Sequence, residues 1–177
     1  MVENIVNHVT YNPPRPKITN DIKFRIALEI AEKYPELNNE LSKNDIATAI
    51  VKVIDNKIKF DGYEIARKLD SFGNWAISTK TVNILEQFSN QLQDEQIRLQ
   101  AEWAQTNNIL PPFPVGTKVK FSFLFIYPPM EGTIIQISDE YPACYKVNFR
   151  SEYLSNGEYV NVTVFYEDCW LSNQESQ

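Results

Sequence analysis

The sequence predicts an α+β protein in which an N-terminal helical bundle precedes a small C-terminal β-barrel. Three observations carry that reading. Apolar residues recur at helical spacing up to about residue 108 and alternate from residue 115 onward. Between the two regimes lies Ile109-Leu-Pro-Pro-Phe-Pro114, whose prolines fix their own φ and push the residues before them out of the helical region. The chain has 177 residues, 43% of them apolar and 12% aromatic, which is enough to bury a core. The expected organisation is an extended arm at 1–17, a helical domain at 18–108, a Pro-rich linker at 109–114, a barrel at 115–171 and a tail at 172–177.

The arm ends in Tyr11-Asn-Pro-Pro-Arg-Pro16, and its Val2, Ile5, Val6 and Val9 suit an edge strand or packing on the helices. Thr19 or Asn20 caps a first helix to about Tyr34, with Ile22, Ile26, Ala27, Ile30 and Ala31 on one face and Pro35 ending it. Ser42-x-x-Asp45 resembles a capping box and opens a second helix with the stripe Ile46, Ala47, Ile50, Val53 and Ile54. Asp61-Gly-Tyr-Glu64 starts a third, whose stripe is Ile65, Ala66, Leu69 and Phe72, and Gly73-Asn74 marks the turn after it. Ser78 caps the longest segment, about Thr79 to Asn107, roughly 40 Å at helical rise. Its stripe is Val82, Leu85, Leu92, Leu99 and Trp103. The heptad spacing of the three leucines allows a self-pairing helix, and hence a homo-oligomer, as the second reading.

Beyond the linker, Val119, Phe121, Phe123 and Phe125 face one way while Lys118, Lys120 and Ser122 face the other. Thr133–Ile137, Tyr145–Phe149 and Tyr159–Phe165 repeat the alternation, with turns expected at Pro128-Pro129, Glu131-Gly132 and Asn156-Gly157. Four or five short strands in this span are too few for a sandwich and suit a small closed barrel. Val115-Gly116-x-x-Val119, Gly132-Thr-Ile134, Tyr145-x-Val147-x-Phe149 and Phe165-x-Glu-Asp168-x-x-Leu171 together resemble the SH3-like small-barrel superfamily, which includes Tudor and KOW-type domains. That resemblance covers roughly residues 113–171. It implies an SH3-like fold and a role in binding proteins, peptides or RNA rather than in catalysis.

Charge and the scarcity of nucleophiles and ligands shape the functional expectation. His8 is the one histidine, and Cys144 and Cys169 are the two cysteines, read as buried free thiols. The acidic pairs Asp94-Glu95, Asp139-Glu140 and Glu167-Asp168 are sequence neighbours, which point apart on a helix or strand and make no facing acid/base dyad. Five dispersed glycines make no phosphate loop. No enzyme activity, metal or cofactor is therefore expected.

Seventeen basic against 23 acidic residues leave a net charge of −6, divided as 13 against 15 up to residue 110 and 4 against 8 beyond it. A phosphate backbone wants the opposite sign, so nucleic acid is disfavoured as a direct ligand. The favoured reading is a non-enzymatic protein-binding module: an adaptor, an accessory subunit or a small inhibitor such as a phage or other mobile element encodes. In the last case an acidic surface would mimic nucleic acid. Trp103, Tyr141, Tyr153, Tyr166 and Trp170 are the candidate contact residues. The alternative is a helix-turn-helix DNA-binding regulator built on about 61–72 and 79–107, with Lys80 and Asn83 reading bases. The N-terminus lacks a basic, apolar leader and no window approaches the roughly 18 apolar residues that span a bilayer, so a cytoplasmic protein without membrane contact is expected.

Overall fold

Thr19 opens the first helix, its hydroxyl accepting from the Ile22 N–H at 3.4 Å, and α1 runs Asn20–Lys33. The computed structural model describes residues 13–38, 40–54, 61–73, 75–122, 129–151 and 157–172. His8, the apolar residues of the arm, Asn74, Phe123, Phe125, Tyr153 and the turn residue Asn156 lie outside the described residues. A 3₁₀ turn at Pro35–Leu37 ends α1, and three further helices follow: α2 Lys43–Val53, α3 Gly62–Gly73 and α4 Thr79–Thr106. Five strands complete the chain: β1 Lys118–Phe121, β2 Met130–Ile137, β3 Cys144–Arg150, β4 Tyr159–Phe165 and β5 Cys169–Leu171. The protein is α+β. It divides into two compact units, one formed by Pro16–Leu99, the other pairing the Pro13–Arg15 segment with the described residues from Gln100 onward.

In the helical unit the start signals act as capping groups. Ser42 Oγ accepts from the Asp45 N–H at 3.2 Å, Asp61 Oδ1 from the Glu64 N–H at 2.6 Å, and Ser78 Oγ from the Thr81 N–H at 3.1 Å. Each satisfies an N–H that the first helical turn leaves without an acceptor. The apolar stripes meet in one core, with Ile30, Ile46, Ile50, Ile65, Leu69, Leu85 and Phe88 fully buried. Gly62 begins α3 directly against α4. A Cβ there would overlap Val82 O and come within 2.5 Å of Glu86 N, so only glycine permits the approach. The Glu86 carboxylate accepts from the Gly62 N–H at 2.5 Å, placing an anion at the positive end of α3.

Phe72 does not join this core. It is 79% exposed, and Trp75, from the extended connection after α3, is buried with the cluster instead. Helical periodicity identifies a face but not how far along it the neighbouring helices reach.

The second unit is built on an antiparallel sheet of order β4-β3-β2-β1-β5. Val119, Phe121, Ile134, Tyr145, Val147 and Val164 alternate onto its buried side, where Phe121 and Phe149 meet edge to face at 5.5 Å. Glu131-Gly132, expected as a turn, lies inside β2. Gly132 is opposite Val119 on one side and Phe149 on the other. A Cβ on Gly132 would sit 2.6 Å from Val147 Cγ1 and 2.7 Å from Asn148 O, so the residue is glycine for close strand approach rather than for a turn. A register shift between Ile134 and Gln136 adds a bulge to the same strand.

The proline-rich segment packs within this unit. Asn108 takes a φ of 50°, its N–H donating to Gln105 O at 3.3 Å and the Ile109 N–H to Ala104 O at 2.8 Å. That pair of bonds is a Schellman cap closing α4, with Ile109 packed against Ala104. Four residues on, the Phe113 N–H donates to the buried Tyr145 hydroxyl at 2.6 Å.

The close approach at Gly132 yields a stability test. Gly132→Ala is expected to lower unfolding free energy by about 1–3 kcal/mol in urea titrations, whereas Phe72→Ser is expected to stay within about 0.5 kcal/mol of the parent. A neutral Gly132→Ala would contradict the close packing of β2.

Candidate functional site

Arg15 is the most heavily bonded side chain of the sheet unit. Nε and Nη2 hold the two Glu167 carboxylate oxygens at 2.6 and 2.9 Å as a fork. Nη1 donates to Pro142 O at 2.8 Å and to Gln100 Oε1 at 3.2 Å, and Nη2 also donates to Ala143 O at 2.8 Å. All five N–H groups of the guanidinium therefore have acceptors. Its carbon lies 4.9 Å from the Trp103 ring centre and 4.3 Å from that of Phe165, cation–π distances to both. The Trp103 indole N–H in turn donates to Pro13 O at 3.0 Å. One face of this clasp also braces Ala143, which holds a left-handed φ of 52°.

The two thiols lie close to the clasp in sequence and in burial. Cys144 Sγ donates to Pro142 O at 3.4 Å and Cys169 Sγ to Phe165 O at 3.5 Å. Burial pushes the Cys144 thiol up to about 11 and the Cys169 thiol to about 12. Both therefore stay protonated and poorly nucleophilic near neutral pH. Burial also raises Asp168, with the adjacent Glu167 adding to the shift and Arg15 opposing it.

On the helical unit, several charges pair with one another. Glu95 takes Arg25 at 2.8 Å and Arg98 at 2.7 Å, and these cations, Arg98 first, hold it below the usual carboxylate range. Lys80, a candidate base-reading residue, pairs with Glu36 at 2.8 Å, while Asn83 is exposed.

Four of the five candidate contact residues are described, and two of them, Trp103 and Tyr166, pack in one apolar cluster. Trp103 is 9% exposed and held under Arg15. Tyr166 is half-buried and packs against two apolar clusters, and half-buried Tyr141 donates its N–H to Ser138 Oγ at 3.0 Å. Tyr153 lies outside the described residues. Trp170 is half-buried on β5, directly opposite Lys120 in the register.

Trp170 belongs to a surface that carries cations as well as aromatics. Lys120 is opposite Glu131 and Trp170, and Arg150 is opposite Tyr159, which is 72% exposed. These side chains all alternate away from the core, together with Lys118, Thr133, Asn148 and Asn161 in the next row. Asn148 Nδ2 donates to Asn161 Oδ1 at 2.8 Å, tying β3 to β4 on that face. The polar positions of the alternating strands were the sequence signal for it. For Arg15 the signal was weaker: a single cation between prolines.

Two outcomes are expected from this geometry. Arg15→Lys keeps one charge but loses the fork and both stacking contacts, and should cost about 2–3 kcal/mol in urea unfolding, less than a fully buried pair because Glu167 is partly exposed. Iodoacetamide at pH 8 should leave both cysteines unmodified in the native protein and label both in denaturant. Because the native thiols hold their protons to higher pH than the unfolded chain, stability should be level below about pH 9 and fall as pH rises through 9 toward 11–12. Among the described residues no helix is long and apolar enough to cross a membrane. Compared with protein-family models, with curated proteins and with solved structures, the chain finds no significant match.

Proposed function

We propose that the protein is a non-enzymatic protein-binding module, an adaptor, accessory subunit or small inhibitor, whose sheet unit is an SH3-like barrel. Support for the barrel comes from the strand order β4-β3-β2-β1-β5, the 3₁₀ turn Tyr166–Asp168 between β4 and β5, and the bulge and glycine that let β2 bend. The buried, protonated thiols support the non-enzymatic part.

One observation carries the binding role: Tyr159, Arg150, Lys120 and Trp170 share the solvent face of one sheet, joined by the register of its strands. Tyr, Trp and Arg are the residues that dominate protein-interface energetics, and a sheet holds them at fixed spacing before any partner arrives.

The test is photocrosslinking in the cells that produce the protein, with a benzophenone amino acid at position 159 and, as a control, at exposed position 63 of the helical unit. A discrete protein adduct at 159 and not at 63 is expected. Adducts to nucleic acid alone, or none at either position, would reject the reading.

A further inference from the structure

We infer that the partner presents an acidic segment, and that this segment docks across the solvent face of the sheet; the inference rests on the protein-binding reading above. The chain beyond residue 110 is net −4, yet its four cations, Lys118, Lys120, Lys146 and Arg150, all fall on one face. Their strand neighbours Val119, Phe121, Tyr145, Val147 and Phe149 are the buried ones. Of the described acids beyond residue 110, only Glu131 shares the strand positions of this face, 3.8 Å from Lys120. Lys118, Lys146 and Arg150 have no acidic partner among the described residues. The other described acids lie in turns: Asp139 and Glu140 between β2 and β3, Glu158 before β4, and Glu167 and Asp168 before β5. Glu167 is already held by Arg15.

The layout sets the kind of anion. Same-face residues on one strand are about 7 Å apart and adjacent strands about 4.8 Å, so Lys118 on β1, in line with Thr133 and Asn148, stands roughly 12 Å from the β3 cations to either side of Asn148. An extended peptide with separated carboxylates spans such a gap, and Asn148 shares the face between Lys146 and Arg150 on β3, with Asn161 beyond it on β4. A single-stranded nucleic acid fits less well. It carries a charge at every unit, and beyond the face it meets the acidic turns, one of which touches the face: Gln136 Nε2 donates to Asp139 Oδ1 at 3.3 Å. Those carboxylates act within about one Debye length, roughly 8–10 Å, comparable to half the width of the sheet. A short acidic segment avoids them. Exposed pairs of this kind contribute little energy each, so the cations set encounter rate and salt dependence while Tyr159 and Trp170 supply contact area.

The inference is tested by fluorescence anisotropy on the full chain with two probes, a labelled peptide of about ten alternating Glu and Ser residues and an oligothymidylate of equal length, at about 50 and 200 mM salt. The peptide is expected to bind and to weaken as salt rises. Lys118→Glu with Arg150→Glu should weaken it by about tenfold or more, and Lys118→Gln with Lys146→Gln by about threefold should the reversal perturb folding by circular dichroism. Lys33→Glu with Lys52→Glu, an equal charge change on the helical unit, should leave it within about twofold. No peptide binding at 50 mM salt, tighter binding of the oligonucleotide, or equal losses in both charge-reversal pairs would overturn the inference. Any of these leaves a protein adduct at position 159 standing, whereas loss of that adduct with peptide binding intact counts against the partner reading alone.

Discussion

Arg15 is the point on which the sheet unit converges. Its guanidinium joins four separate stretches of chain: the Pro13–Arg15 segment, the end of α4 through Gln100 and Trp103, the β2–β3 turn through Pro142 and Ala143, and the 3₁₀ turn through Glu167. Each acceptor is fixed by its own element, and the planar fork satisfies them with one side chain. A lysine has three donors on a single nitrogen and no flat face for Trp103 and Phe165, so charge alone does not reproduce the arrangement. The left-handed Ala143 is tolerable in this setting because its carbonyl accepts from both Arg15 and the Tyr166 N–H.

Local signals were legible in the sequence wherever one side chain acts on its own backbone. Thr19, Ser42, Asp61 and Ser78 each cap a helix within a few residues, and strand alternation locates β3 and β4 closely. Where a residue's role depends on a distant partner, the pattern misled or was silent. Gly132 reads as a turn because Glu-Gly often is one, and only its neighbours Val119 and Phe149 reveal a site of close packing. Phe72 fits its helical stripe perfectly and still faces solvent. Trp103 reads as a contact aromatic at the end of a helix, but its ring and its N–H are both engaged by the arm. The contacts of Arg15 span 85 to 152 positions, a separation at which no local pattern exists to read.

Net charge proved a coarse guide for a related reason. A sum over residues 111–177 is negative, but a potential is felt where the charges stand, and strand alternation sorts them by face. The same periodicity of two that buries Val119 and Phe121 turns Lys118 and Lys120 outward. Acids, favoured in turns, gather at the ends of strands. A small sheet can thus be acidic as a whole and cationic on one side, with the core pattern and the surface pattern written in the same alternation.

Chain order adds a temporal side to the clasp. The helical unit is contiguous, whereas the sheet unit has its first described residues ahead of it and the rest after it, from Gln100 in α4 onward. At about 5–20 residues per second on a ribosome, the 152 positions from Arg15 to Glu167 correspond to roughly 8–30 s of synthesis. During that interval the helical unit has its whole core available, while the guanidinium has only water for most of its donors. The last turn before β5 is therefore what completes a bond begun at the fifteenth residue. Final closure of the sheet unit reports that every residue between Arg15 and Glu167 has been made.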